Sequence, residues 1–443
     1  MRIANAPART ISCHEAAALV KSDMWLDYGV SLCQPDVFDQ ALAARREELS
    51  NVKIRSCLSM RPRAVVESDP EGKHFYWFSW HFSKYDRRKH DVGCCNYVPL
   101  NLGEVPGYYR RFIDPVDIVI LKTCPPDENG NFNFGPTNLW HRALIERAKV
   151  VIVEVTEGLP HVFGEQIAVH QSEVDYIIEG DNQPAPDLPN PPPSEVDRAV
   201  ARQIASEIED GACLQIGIGG MPNAVCSLLL ESGIQNLGVH TEMLTDGIVD
   251  LYKAGLVNGS QKSLDPGKIV FTFALGSRDL YATTHRNPDF LCYPVDYTNA
   301  PETIMWNQQV VAINNTTQVD LQGQVASESD GHRHISGTGG QLQFVRGAYA
   351  SDGGKSFICL ASTYEKQGVR RSRILCEFAP GTIVTAPRTD VMYIVTEYGM
   401  VNVKGKSVAE RAKALISIAH PDFREDLERQ AYKHRLIPHG VAF

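Results

Sequence analysis

Residues Gly211–Ser232, GACLQIGIGGMPNAVCSLLLES, change character at their midpoint. GACLQIGI reads as a buried strand and MPNAVCSLLLES as a helix, joined at Gly217, Gly219 and Gly220. Glycine lets backbone approach a ligand closely. Pro222 suits the first helical turn, where its missing N–H is not needed. The free N–H groups at such a helix start attract negative charge. Taken alone, the turn is as readily a plain strand–helix connection.

The same alternation recurs outward in both directions. VDIVILKT and KVVIVEV read as strands flanking a helical TNLWHRALIERA, and KIVFTFAL, KSFICLAST and DVMYIVTEYG add further strands. Short apolar runs alternating with helices predict an α/β fold with mostly parallel sheets. The segment EGDNQPAPDLPNPPPSEVDRAV is too rich in proline for helix or central strand. It predicts a linker over 181–194 between an N-terminal domain, 1–180, and a C-terminal domain, 195–443. Ser194 is the expected N-cap of the helix that follows. The halves also echo each other. Asp127 and Gly130 follow one strand as Asp320 and Gly323 follow another, and DYGVSLCQP resembles EDGACLQIGIGGMP. A duplicated α/β domain is as good a reading of these matches as chance.

Composition narrows the function. The chain has 443 residues, enough for two or three domains, and a net charge of −10, which argues against nucleic acid as a partner. No apolar run reaches the ~18–20 residues of a membrane helix, and the N-terminal stretch lacks the apolar segment of a signal peptide. A cytoplasmic protein is expected. Eleven cysteines with no C-x-x-C pair fit buried, reduced thiols.

Nucleotide motifs fail on inspection. G-x-G-x-x-G would need glycine at Pro222 in the first glycine turn and at Leu342 in the second, ISGTGGQLQF. GGKS, 353–356, has Tyr349 where a P-loop needs glycine. His332 and His334 lack a third ligand at useful spacing, so no metal is expected. Glu242, in GVHTEMLTDG, is ordinarily a solvated turn residue. Its place one strand after a glycine turn brings it to the sheet edge where open α/β folds bind ligands.

Longer motifs then point to a family. LQIGIGGMPNAV, LGVHTEMLTDG, PVDYTNAPETI, VDLQGQVASES, ISGTGGQLQFVRGA, GGKSFICLAST, IVTEYG and IAHPDFREDL stand in one order along the chain, preceded by CNYVPLNLGEVP, CPPDENGNFNFG and VVIVEVTEGLP. The chain resembles a class I coenzyme A transferase of the acetyl-CoA hydrolase/transferase family over essentially its whole length. Within it, the chain is most similar to the butyryl-CoA:acetate branch, with the 4-hydroxybutyrate branch next.

The resemblance implies two similar open α/β domains with the active site between them, and a homo-oligomer. It implies Glu242 as nucleophile, forming an acyl-glutamyl anhydride and then a glutamyl-CoA thioester in ping-pong fashion. A carboxylate ionises well below pH 7, so it needs no base to activate it. The oxyanion donors and CoA contacts fall on Gly217, Ile218, Gly219, Gly220 and Met221, on Thr317, on Gly337, Thr338, Gly339 and Gly340, and on Lys366. Either glycine loop can supply the oxyanion donors. Acyl-CoA and short-chain carboxylates are the implied substrates, butyryl-CoA and acetate first, with no permanently bound cofactor, metal, nucleic acid or membrane. A 4-hydroxybutyrate or propionate CoA-transferase, or an acyl-CoA hydrolase on the same scaffold, is the alternative. Thr156, Gln343 and Asp352 depart from the usual motif residues, so acyl preference is expected to differ within the family.

Overall fold

The computed structural model describes residues 3, 4, 6–190 and 192–438. Met1, Arg2 and Asn5 of the N-terminal stretch and Pro191 of the Pro-rich segment lie outside the described residues. The chain forms two compact units, one of Met1–Leu188 with Val270–Thr298, the other of Pro189–Ile269 with Asn299–Phe443.

The division of the chain differs from 1–180 and 195–443. The first change of unit falls inside the Pro-rich segment, but Val270–Thr298 returns to the first unit. Buried hydrogen bonds hold it there. The Thr272 hydroxyl donates to the Asn138 carbonyl at 2.9 Å, and Asn138 Nδ2 donates to the Cys292 carbonyl at 2.9 Å. The Pro-rich stretch carries neither helix nor strand over its described residues. It is tied down, since the Ala185 N–H reaches the Gly158 carbonyl and the Leu188 N–H the Gly276 carbonyl.

The first unit is built on eight parallel strands, with Trp25–Tyr28 in the interior of the sheet. The strand IVILKT, Ile118–Thr123, is buried at every position, as expected of a strand covered on both faces. Leu26, Ile54, Ile120 and Ile152 belong to its core.

In the second unit, Cys213–Ile216 lies between Gly238–Leu244 and Val310–Asn315, all parallel. Lys355–Cys359 and Tyr393–Thr396 continue the parallel run, and Gly399–Asn402 turns back antiparallel. The helix Glu195–Ala205 that leads into the unit starts at Ser194, whose side chain makes a capping box with Asp197. Val345, Ile358 and Ile394 share a core with residues of the two C-terminal helices.

In both sheets the chain leaves its first central strand one way and later returns on the other side. Open α/β sheets bind ligands beyond the carboxyl ends of the strands at such a reversal. The two D-x-x-G turns are also alike. Asp127 accepts from the Asn129 and Asn131 N–H groups, and Asp320 accepts from those of Gln322 and Gln324. Among the described residues no helix is long and apolar enough to cross a membrane.

Candidate active site

Glu242 stands near the carboxyl end of Gly238–Leu244, half-buried beside the reversal in the second sheet. Its Oε2 accepts from Asn299 Nδ2 at 2.5 Å. No described side chain donates a hydrogen bond to Oε1. Asn299 is fully buried between two short helices, Val295–Thr298 and Pro301–Ile304, and its own Oδ1 is a buried acceptor with no partner among the described residues. The Gly340 N–H also acts on the carboxylate.

Gly340 tolerates no side chain: a Cβ there would lie 2.1 Å from Glu242 Oε2 and 2.2 Å from Asn299 Nδ2. Asn299, Gly340 and Glu242 all belong to the second unit.

Burial pushes the Glu242 carboxyl up to about 7, against the opposing pull of Asn299 and the Gly340 N–H. This corrects the expectation of a carboxylate ionised well below neutrality. Loss of hydration disfavours the charge more than two donors restore it. The gain is basicity, because a carboxylate short of hydrogen bonds is a stronger nucleophile than one in water.

The first glycine turn runs from the end of Cys213–Ile216 into the helix Gly220–Ser232. Gly219 is its N-cap at φ +120, a conformation open only to glycine, and no side chain caps the helix. Ile218 is exposed, whereas Met221 is buried. Gly220 packs against Asp197, so a Cβ there would meet that carboxylate at 2.4 Å. Asn315 Nδ2 donates to the Ile218 carbonyl at 2.9 Å, and Gln341 Nε2 donates to the Asn315 carbonyl at 3.0 Å. One asparagine therefore ties the first glycine loop to the second. Gly337 and Gly339 are buried, Gly339 has φ +57, and the Thr338 hydroxyl donates to Glu328.

The other expected contacts lie further out. The Thr317 hydroxyl donates to the Ala326 carbonyl, and its own carbonyl accepts from Arg373 Nη1. Lys366 is exposed beside the turn of the hairpin Thr363–Lys366 and Val369–Ser372. The structure thus brings Gly340 to Glu242 and links the two glycine loops, but it shows no contact between Lys366 and these groups. Thr156 and Gln343 are buried, and Asp352 is exposed.

Asn299, Asn315, Gln341 and Glu328 were not singled out from the sequence. Each stands in a loop, at a strand end or at a helix start, where no periodicity marks it.

The acetyl-CoA hydrolase/transferase N-terminal domain model matches residues 4–189, and the C-terminal domain model of the same name matches 276–431. The chain belongs to the acetyl-CoA hydrolase/transferase family. A butyryl-CoA:acetate CoA-transferase of Anaerostipes caccae is 46% identical over 95% of both chains. A probable butyrate:acetyl-CoA coenzyme A-transferase of Syntrophomonas wolfei is 44% identical over 96% of this chain and 95% of that one. The crystal structure of RipA from Yersinia pestis, 36% identical, superposes with a TM-score of 0.89 over 97% of this chain and 98% of its own. As a member of this family the chain is an enzyme, a CoA-transferase.

Proposed function

We propose that this CoA-transferase moves CoA from a short-chain acyl-CoA, butyryl-CoA first, to acetate, with Glu242 as the covalent carrier. The observation that carries the reading is the unequal treatment of the two Glu242 oxygens. Oε2 is held by Asn299, while no side chain among the described residues donates to Oε1.

Oε1 attacks the thioester carbonyl, the C–S bond breaks, and CoA thiolate leaves an acyl-glutamyl anhydride. The thiolate then attacks the Glu242 carbonyl carbon and expels the acid as its carboxylate, leaving a glutamyl-CoA thioester. Acetate attacks that thioester and releases the thiolate, which takes the acetyl group and returns free Glu242. Every bond broken is matched by one of similar energy, so each step is reversible without a proton donor.

Attack on the glutamyl carbon places negative charge on Oε2, which accepts from Asn299 and lies against the Gly340 backbone. One such donor is typically worth ~2.7–4 kcal/mol. The uncapped turn at Gly217–Met221 is the natural source of donors for the acyl-centred oxyanion, as its N–H groups start a 13-residue helix. Binding of the CoA remainder through Thr317 and Lys366 supplies positioning.

The test is acetate dependence. Butyryl-CoA is consumed rapidly only when acetate is present, and initial rates give parallel double-reciprocal lines. Consumption at the same rate without acetate identifies a hydrolase instead. A panel of propionyl-, 4-hydroxybutyryl- and butyryl-CoA ranks the donors.

A further inference from the structure

A buried carboxylate that the mechanism does not use underlies the second glycine loop. Glu328, in VASES, is 3% exposed. Its Oε2 accepts from the Thr338 hydroxyl at 2.9 Å, and its Oε1 accepts from the Thr385 hydroxyl at 3.2 Å. Its backbone carbonyl accepts the N–H groups of Ile335 at 2.8 Å and Ser336 at 3.3 Å. Three of these four donors belong to the loop that runs into Gly340. Thr385 is fixed in turn, since its hydroxyl accepts the Ser327 N–H at 2.9 Å. The far side of the loop is held by Gln341, which donates to the Asn315 carbonyl and accepts from the Ser327 hydroxyl at 2.8 Å.

The loop has little room for error. Gly339 has φ +57, and the Gly340 backbone passes so close to Glu242 that even a methyl group would collide with Oε2. A small shift one way drives backbone into the nucleophile, and a shift the other way withdraws the N–H. Two hydroxyl bonds to the Glu328 carboxyl group and two N–H bonds to its carbonyl let this one buried residue fix the loop.

We propose that Glu328 is a positioning residue for acyl transfer, holding the Gly340 N–H on Glu242 through Thr338 and the loop backbone. The inference rests on Glu242 being the nucleophile. It assigns Thr338 a role in kcat rather than in CoA binding, because its hydroxyl hydrogen is committed to Glu328.

The experiment compares Thr338→Val, Thr338→Ser, Glu328→Ala and Glu242→Gln for butyryl-CoA and acetate turnover. Thr338→Val is expected to lower kcat about 10- to 30-fold with both KM values within about threefold, since misplacement of a catalytic donor is felt in the chemical step. Thr338→Ser, which keeps the hydroxyl, restores kcat to within about threefold of wild type. Glu328→Ala lowers kcat about 100-fold, and adding Thr338→Val to it costs nothing further. Should Glu328→Ala fail to fold, the Val and Ser variants at 338 decide the matter alone. Wild-type kcat in Thr338→Val, a loss confined to the butyryl-CoA KM, or failure of serine to restore kcat overturns the proposal. Glu242→Gln separates the two levels. If it stays active the nucleophile assignment fails, whereas an inactive Glu242→Gln beside a fully active Thr338→Val removes only the role of Glu328.

Discussion

Two glutamates, one in each sheet, show how differently the fold treats a carboxylate that it fixes and one that it leaves partly open. Glu154 sits on the first unit's strand Val150–Val155 with no exposed surface. It accepts the N–H groups of Asp36, Val37 and Phe38 at 2.8, 3.2 and 2.9 Å, where the helix Val37–Ala43 begins. Burial raises its pKa, and the three N–H groups and Lys122 pull it back. Both of its oxygens are engaged. Glu242, near the carboxyl end of the strand beside Cys213–Ile216, receives a side-chain hydrogen bond on one oxygen, has the Gly340 N–H beside it, and keeps partial access to solvent. A helix start wraps the first glutamate, whereas the helix start at Gly340, beside the second, has no side-chain cap. Full hydrogen bonding fixes a carboxylate, and incomplete hydrogen bonding leaves it able to react.

Substitutions at the two positions are expected to part activity from stability. Glu242→Gln removes the proposed nucleophile and is expected to lower turnover by about 10⁴-fold or more, measured by CoA transfer at saturating substrate. Asn299→Ala follows, with kcat down about 10²- to 10³-fold for one lost oxyanion donor. Asn299→Ala also has a pH signature. In wild type, kcat/KM is expected to fall as pH drops through the Glu242 pKa, about 7, because a protonated acid does not attack. Removing a group that favours the charged form moves that acid limb to higher pH, and a pH–rate profile reads the shift.

The stability predictions have opposite signs. Glu154→Gln turns an amide N–H₂ toward backbone donors and strands at least one of them. A loss of about 2–3 kcal/mol is expected in denaturant titration, with kcat of the folded enzyme within about threefold of wild type. For Glu242 the folded pKa lies above the ordinary carboxylate value. The native state therefore holds a proton that the unfolded chain releases, and stability falls as pH rises from about 4.5 to about 7. Glu242→Gln escapes that loss. Its stability should match wild type near pH 4.5 and exceed it by about 1–3 kcal/mol at pH 8, after allowance for solvent access.

Much of the architecture was legible in the sequence because it rests on local pattern. The strand, glycine turn and helix at 213–232, the capping box at Ser194 and the paired aspartate turns at Asp127 and Asp320 are set by residues within a few positions of one another. Glu242 was marked by motif and by its place after the glycine turn. What escaped depends on contacts distant along the chain. Asn299 lies 57 residues from the carboxylate it holds. The return of Val270–Thr298 to the first unit depends on Asn138, more than 130 residues away. The raised pKa of Glu242 comes from burial, which no spacing encodes.

The most direct measurement is to mix enzyme with butyryl-CoA in the absence of acetate, digest it rapidly, and weigh the peptide carrying Glu242 by mass spectrometry. A CoA adduct joined through loss of one water is expected, absent from Glu242→Gln and discharged by added acetate. An unmodified Glu242 peptide in enzyme that turns over normally, or an adduct on another residue, would contradict Glu242 as the covalent carrier.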